Sequence, residues 1–240
     1  MRLDKLLAHT GFGSRKEAKQ LLKKGLVTVD GQAIKKPETH VDPEKSTIYV
    51  ASQLIKYEKY TYIMMNKPAG VISATYDDQW DTVIDLLSED DSWCDLFPVG
   101  RLDKDTTGLM VLSNDGGFAH RALSPKKHVE KIYRAVLNAP IGDKEIKAFE
   151  DGIVLVDDEY KCMPAGLSAL DEEGLVAEVV IREGKFHQVK RMFEACGIKV
   201  LSLKRTHFAG IPLDDTLEES QYRRFTFEEL AKVGNLLSKD

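Results

Sequence analysis

The chain has 240 residues, of which 42% are hydrophobic and 30% charged, enough apolar material for a packed core and, at roughly 100–200 residues per domain, enough length for two domains. Its longest apolar runs, residues 62–65 and 109–112, fall far short of the ~20 residues a membrane span needs, and Met1-Arg2-Leu3-Asp4-Lys5 opens with charge where a signal peptide would place its apolar core; a cytoplasmic protein with no membrane partner is expected. Cys94, Cys162 and Cys196 are odd in number and widely spaced, and the six histidines are scattered, which excludes a zinc-dependent base deaminase and leaves no metal site in view.

The net charge of −5 is unevenly spread. Residues 1–60 carry twelve Lys+Arg against seven Asp+Glu, a balance of +5, so the remainder stands at −5 − 5 = −10. A basic module joined to an acidic body is the pattern of a nucleic-acid-binding domain on a larger unit of other purpose. Within the module, Ser14-Arg15-Lys16-Glu17 predicts a capping box and a helix start. Ala18, Leu21 and Leu22 form its apolar stripe, Gly25 ends it, and Arg15, Lys16, Lys19 and Lys23 lie on the other side. Strand-like runs at 26–29 and 32–34 flank Asp30-Gly31, a hairpin turn. A basic helix face alone is most simply a solvated surface. The whole pattern, Arg2-Leu3-Asp4-Lys5-Leu6-Leu7, then Ser14-Arg15-Lys16-Glu17-Ala18, then Gly25-x-Val27-x-Val29-Asp30-Gly31, closely resembles the S4 RNA-binding domain. The resemblance implies a small helix-pair domain over residues 1–58, with Arg2, Lys5, Arg15, Lys16, Lys19 and Lys23 directed at an RNA backbone and recognition by shape. Residues 51–60 show neither period and are expected to be the linker.

The second part, 59–240, begins with a strand at 62–66 stopped by Lys67-Pro68-Ala69-Gly70. A short helix is expected at 82–87, and extended segments at 96–99 and 111–112 bracket Gly100-Arg101-Leu102-Asp103-Lys104-Asp105-Thr106-Thr107-Gly108-Leu109. Alone, Asp103 reads as a turn aspartate capping its own backbone; on a loop between buried strands it is also placed as catalytic groups are. Asn114-Asp115-Gly116-Gly117 lacks the spacing of a phosphate-binding loop and is expected to be an ordinary loop. In 131–136, alternation sends Ile132, Arg134 and Val136 to one face of a strand and Tyr133 to the other. After Gly184, Val189, Met192, Phe193 and Cys196 recur at helical spacing, leaving His187, Lys190 and Arg191 on other faces. A strand at 200–205 contains Leu203, and 222–226 with 228–230 close the chain as strand and helix.

Gly-Arg-Leu-Asp-x-x-Thr-x-Gly around Asp103, Lys-x-Tyr-x-x-Val around Tyr133 and Glu183-Gly-x-x-His187-Gln-Val-Lys190-Arg191-Met resemble, in order, the three motifs of the pseudouridine synthases, which turn uridine in RNA into its carbon-linked isomer. That resemblance runs from residue 2 to about 230. It implies an α+β fold, with a mixed, largely antiparallel sheet and flanking helices behind the S4 domain. It implies Asp103 as the group acting at ribose C1′, Tyr133 stacking on the extruded uracil, Lys190 paired with Asp103, Leu203 as a wall beneath the base, Arg101 filling the gap left in the RNA stack, and His187 and Arg191 as further substrate contacts. A carboxylate, with a reference pKa of about 3.9, is ionised at neutral pH without a separate base. The reaction is redox-neutral and uses no phosphate donor, so no cofactor is expected. The third motif is similar to the branch named for ribosomal small-subunit pseudouridine synthase A, which implies uridine 516 of 16S rRNA, as naked RNA or within a partly assembled small subunit, and a monomeric enzyme. The alternatives are the same reaction on 23S rRNA or tRNA, and a non-catalytic S4-type RNA-binding or ribosome-assembly protein.

Overall fold

The computed structural model describes residues 1–55, 57–88, 91, 94–157 and 159–237. It divides into two compact units, Met1–Thr61 with Leu86–Leu96, and Tyr62–Asp85 with Phe97–Asp240.

In the first unit, α1 (Leu3–His9) and α2 (Arg15–Lys23) pack their apolar stripes together. The expected capping box forms: the Glu17 amide donates to Ser14 Oγ at 3.3 Å and the Ser14 amide donates to Glu17 Oε2 at 2.7 Å, satisfying two donors the helix start leaves over. Gly25 takes φ +72°, the left-handed residue that stops the helix. The hairpin of β1 (Val27–Val29) and β2 (Gln32–Ala33) turns through Asp30 and Gly31, both at positive φ. With β3 (Ile48–Val50) and β4 (Gln53–Leu54) it makes a sheet of order β2-β1-β3-β4. The expected linker at 51–60 is thus partly strand, because Leu54 pairs with Tyr49; Lys56 lies outside the described residues. Leu3, Leu6, Leu7, Ala18, Leu22 and Val27 are buried, while Lys5, Arg15, Lys16, Lys19 and Lys23 are exposed. Arg2 forks onto Asp4 at 2.9 and 3.0 Å.

The second unit is built on β5 (Tyr62–Lys67), β6 (Phe97–Pro98), β7 (Thr107–Ser113), β8 (Lys131–Leu137), β9 (Gly166–Ala169), β10 (Val176–Ile181), β11 (Val200–Phe208), β12 (Ile211–Pro212) and β13 (Tyr222–Arg224). Its main order is β13-β5-β7-β11-β8-β10-β9, with β6 on β7 and β12 on β11. Among these strands β7 and β11 run parallel and the other pairs antiparallel, so the sheet is mixed and largely antiparallel, as expected. The flanking helices are α3 (Gly116–Leu123), α4 (Asp143–Asp151), α5 (Gln188–Ala195) and α6 (Phe227–Lys232).

Two local expectations are corrected. The segment 82–87 is a turn, because Asp85 Oδ2 accepts from both the amide and the hydroxyl of Thr82 at 2.8 Å, drawing the chain into a side-chain-closed turn. Gly116-Gly117 opens α3 where a loop was expected: Asp115 caps the helix, accepting from the Phe118 amide at 2.9 Å and from the Tyr62 hydroxyl at 2.7 Å. No helix among the described residues is long and apolar enough to cross a membrane.

The C-terminal strand and helix are tied back by Arg223, which forks onto Glu229 at 2.8 Å through both terminal nitrogens and donates to Asp214 at 2.6 Å through Nε. The bonds from Thr216 and Arg223 hold the Asp214 carboxyl down to about 2, and Arg223 likewise lowers Glu229. A folded pKa below the unfolded one stabilises above the unfolded value and stops doing so as pH falls through the folded value. Arg223→Met is therefore expected to cost about 1–2 kcal/mol at pH 7, mostly through the Glu229 fork. In urea titrations the gap to the parent protein should close as pH falls from about 4 to about 2.

Candidate active site

The loop between β6 and β7 is held from beneath by a buried lysine. Lys67, with no exposed surface, donates from Nζ to the carbonyls of Pro68 and Thr106 at 2.9 Å and of Lys104 at 3.3 Å. The Lys104 carbonyl also accepts from the Gly70 amide at 2.8 Å. Burial pushes the Lys67 ammonium down to about 8 against the pull of Asp105 and Asp103. Further along, β7 meets β11 at Gly108, opposite Arg205. A Cβ at Gly108 would lie 2.3 Å from the Arg205 carbonyl oxygen, so only glycine lets the strands approach there.

Asp103 projects from this loop into a cavity of about 520 Å³. Lys190, on the first turn of α5, reaches its Oδ2 at 3.0 Å and Asp105 Oδ1 at 2.6 Å. Burial alone would lower Lys190, but hydrogen bonds and charge from Asp105 and Asp103 outweigh it and raise its pKa, keeping the ammonium charged. Asp105 is held below the usual carboxylate range by the bond from Lys190. His187, at φ +50° just before α5, brings Nε2 within 3.6 Å of Asp103 Oδ1 and stacks on Phe186 with ring centroids 3.7 Å apart.

The floor comes from β8 and β11. Alternation along β8 turns Lys131, Tyr133, Ala135 and Leu137 inward, and Tyr133 stands opposite Arg205 of β11. The Arg205 guanidinium, completely enclosed, is pulled down by burial and supported by a hydrogen bond with Tyr133; its Nε donates to the Leu109 carbonyl at 2.8 Å. Lys131 is also buried, its Nζ donating to the Val129 carbonyl at 2.8 Å, and burial, with repulsion from Arg205, lowers it to about 8. Glu183 accepts from the Tyr160 hydroxyl at 2.7 Å, the Met163 amide at 2.9 Å and Gln188 Nε2 at 2.6 Å, which fixes the start of α5.

Arg101, Asp103, Tyr133, His187 and Leu203 all line the one cavity, with Lys190 closing on Asp103. Arg191 is not brought to it: its guanidinium meets Asp157 at 3.1 Å and the Phe186 carbonyl at 3.3 Å. Sequence reasoning passed over Lys67, Lys131, Glu183 and Arg205. For Arg205 a signal was present, since it sits two residues from Leu203 and so shares its face of β11. For Lys67, the Lys-Pro-x-Gly run reads as a turn and resembles the entry to the pseudouridine synthase catalytic domain, neither of which gives the lysine a role.

Fold and cavity together define an enzyme of RNA modification. Residues 61–195 match the family model described as RNA pseudouridylate synthase, and residues 1–48 the S4 domain. The Bacillus subtilis protein YtzG, an uncharacterized RNA pseudouridine synthase, is 46% identical over 96% of this chain and 97% of its own length. Ribosomal small subunit pseudouridine synthase A of Vibrio cholerae is 42% identical over 97% of this chain and 99% of its own, and that of Escherichia coli 37% over 97% and 100%. A solved pseudouridylate synthase aligns with a TM-score of 0.68 at 35% identity, covering 97% of this chain and 99% of that one. The chain belongs to the RNA pseudouridylate synthase family, with an S4 domain at its N-terminus, and is an isomerase acting on RNA.

Lys67→Met would leave the Pro68 and Thr106 carbonyls without a donor and the Lys104 carbonyl with the Gly70 amide alone. A loss of about 2–4 kcal/mol by urea unfolding is expected, with a roughly hundredfold fall in the rate of pseudouridine formation by the protein that remains folded, since a displacement of about an ångström at a reacting group costs that much.

Proposed function

We propose that the chain isomerises uridine 516 of 16S rRNA, with Asp103 acting at ribose C1′. The observation that carries this reading is the Asp103–Lys190 pair at 3.0 Å, set in the same cavity as the Tyr133 ring. The C1′–N1 bond breaks, the uracil turns while held in the cavity, and a C1′–C5 bond forms. The C5 proton leaves and N1 gains one, so the composition is unchanged. Asp103 stabilises or captures C1′ as the base departs, and Lys190 balances its charge where water is partly excluded. Tyr133 stacks on the detached base, and its hydroxyl lies beside C5 for the proton transfer. Leu203 lies under the ring, and Arg101, exposed at the rim, occupies the gap in the RNA stack. Extrusion costs a few kcal/mol, which contacts made by the S4 domain offset. The choice of small-subunit RNA is supported by the relatives named ribosomal small subunit pseudouridine synthase A, matched over nearly the whole chain.

Tritium release from C5-labelled small-subunit and large-subunit rRNA tests the reading. Release from the small-subunit RNA alone, reduced to background in Asp103→Asn while RNA affinity is kept, is the expected result. Release from large-subunit RNA alone would overturn the target, and undiminished release by Asp103→Asn would overturn the residue. Separately, replacing Arg15, Lys16 and Lys19 with Gln should weaken RNA binding and lower the slope of log K against log[salt] by about 2–3, at roughly 0.7–0.9 for each phosphate the protein no longer neutralises; an unchanged slope would remove these residues from the interface.

A further inference from the structure

The segment between β5 and the turn at residues 82–85 carries an indole that the reaction as described does not use. Trp80 is 52% exposed, an unusual place for a large aromatic side chain. Lys104, the residue after Asp103, sets its ammonium 2.7 Å from the centroid of the indole. The Lys104 backbone is itself fixed, its carbonyl accepting from Lys67 and from the Gly70 amide. The segment is fastened to the Asp103 loop a second time: Ser73 Oγ accepts from the Leu102 amide at 3.0 Å and donates to the Leu102 carbonyl at 2.9 Å. Asp77 Oδ1 accepts from the amides of Gln79 and Trp80 at 2.9 and 3.0 Å, so the backbone that bears the indole is held as well. The ring is exposed, yet it is tied to the residue next to the reacting carboxylate.

We infer that Trp80 is a stacking platform for a nucleobase flanking the target uridine, positioning the RNA for the reaction at Asp103. An ammonium over a ring of a residue that is still 52% exposed leaves surface open to solvent, and every base has a π-face that such a ring can take up. Asp77, Asp78 and Asp81 surround the indole in sequence and repel phosphate, so the contact is with a base and not with the backbone. A uridine leaving its stack uncovers the faces of its neighbours, and an aromatic surface anchored beside the site of extrusion receives one of them. The inference rests on the proposed pseudouridine synthesis at Asp103.

Two measurements test it. In a Trp93→Phe background, where Trp80 is the remaining tryptophan, the fluorescence of the Asp103→Asn protein is followed as small-subunit rRNA fragments carrying the target uridine are added; stacking predicts quenching that saturates with binding. In steady-state tritium release, Trp80→Ala should raise KM about tenfold, the scale of one stacked base removed, with kcat within about twofold, and Trp80→Phe should restore most of the loss. Unquenched fluorescence on saturating RNA, or a Trp80→Ala enzyme with the parent KM, overturns the platform while leaving the chemistry intact. Quenching without turnover of that RNA by the parent enzyme upholds the platform and overturns the assigned target.

Discussion

A single buried ammonium organises the reacting end of the molecule. Lys67 ends β5 with no exposed surface and directs its three donors to the carbonyls of Pro68, Lys104 and Thr106. A charge taken out of water is tolerated only where such partners replace the solvent. The same geometry makes the loop over it rigid, because two of those carbonyls flank Asp105, two residues past Asp103. The loop carboxylates then face a second cation from above, Lys190, which bridges Asp103 and Asp105. Cation, acidic loop and cation form a stack in which each layer is partnered, and Asp103 is the member turned toward the cavity.

The floor is coupled to that stack by backbone geometry. Arg205 touches Tyr133 across the β8–β11 ladder and the Leu109 carbonyl of β7, so the aromatic floor and the strand leaving the Asp103 loop share one enclosed guanidinium. The parallel contact of β7 with β11 depends on the missing side chain at Gly108. On the opposite wall, Glu183 gathers Tyr160, Met163 and Gln188 and so sets where α5 begins, and with it where Lys190 points. In the proposed reaction the base must turn without escaping, and a cavity whose floor, loop and wall are each hydrogen-bonded into the sheet can keep its shape through that rotation.

Much of this was legible in the residues because it rests on local rules. The Ser14–Glu17 capping box, the Asp30-Gly31 turn and the period-two burial of β8 are set within a few positions of chain, and each formed where the pattern places it. Misreadings arose where a nearby side chain redirected the backbone: Asp85 recaptured Thr82 and prevented a helix, and Asp115 supplied a cap that made a glycine pair the start of one. The buried cations were not legible, since a lysine or arginine in a strand looks solvated until its partners, often backbone carbonyls far along the chain, are known. The return of Leu86–Leu96 to the first compact unit is likewise a long-range fact with no local mark. Arg191 shows the converse. Its motif placed it among the substrate contacts, but Asp157, 34 positions earlier, holds it elsewhere.

The distribution of charge explains how an acidic body can serve an RNA substrate. The last 180 residues carry the net deficit of ten charges, and four of the cations around Asp103 are committed: Lys67 and Lys131 to backbone carbonyls, Lys190 to two aspartates, Arg205 to Tyr133 and Leu109. A cation already neutralised or enclosed gives little to a passing phosphate, so the cavity favours an uncharged base and its ribose over the polyanionic backbone. In the proposed reading, electrostatic attraction to RNA falls instead to the exposed lysines and arginine of α2. The proposed reaction thereby assigns affinity through phosphates and chemistry at a neutral base to different side chains, with the acidity of the larger unit helping to exclude backbone that carries no extruded uridine.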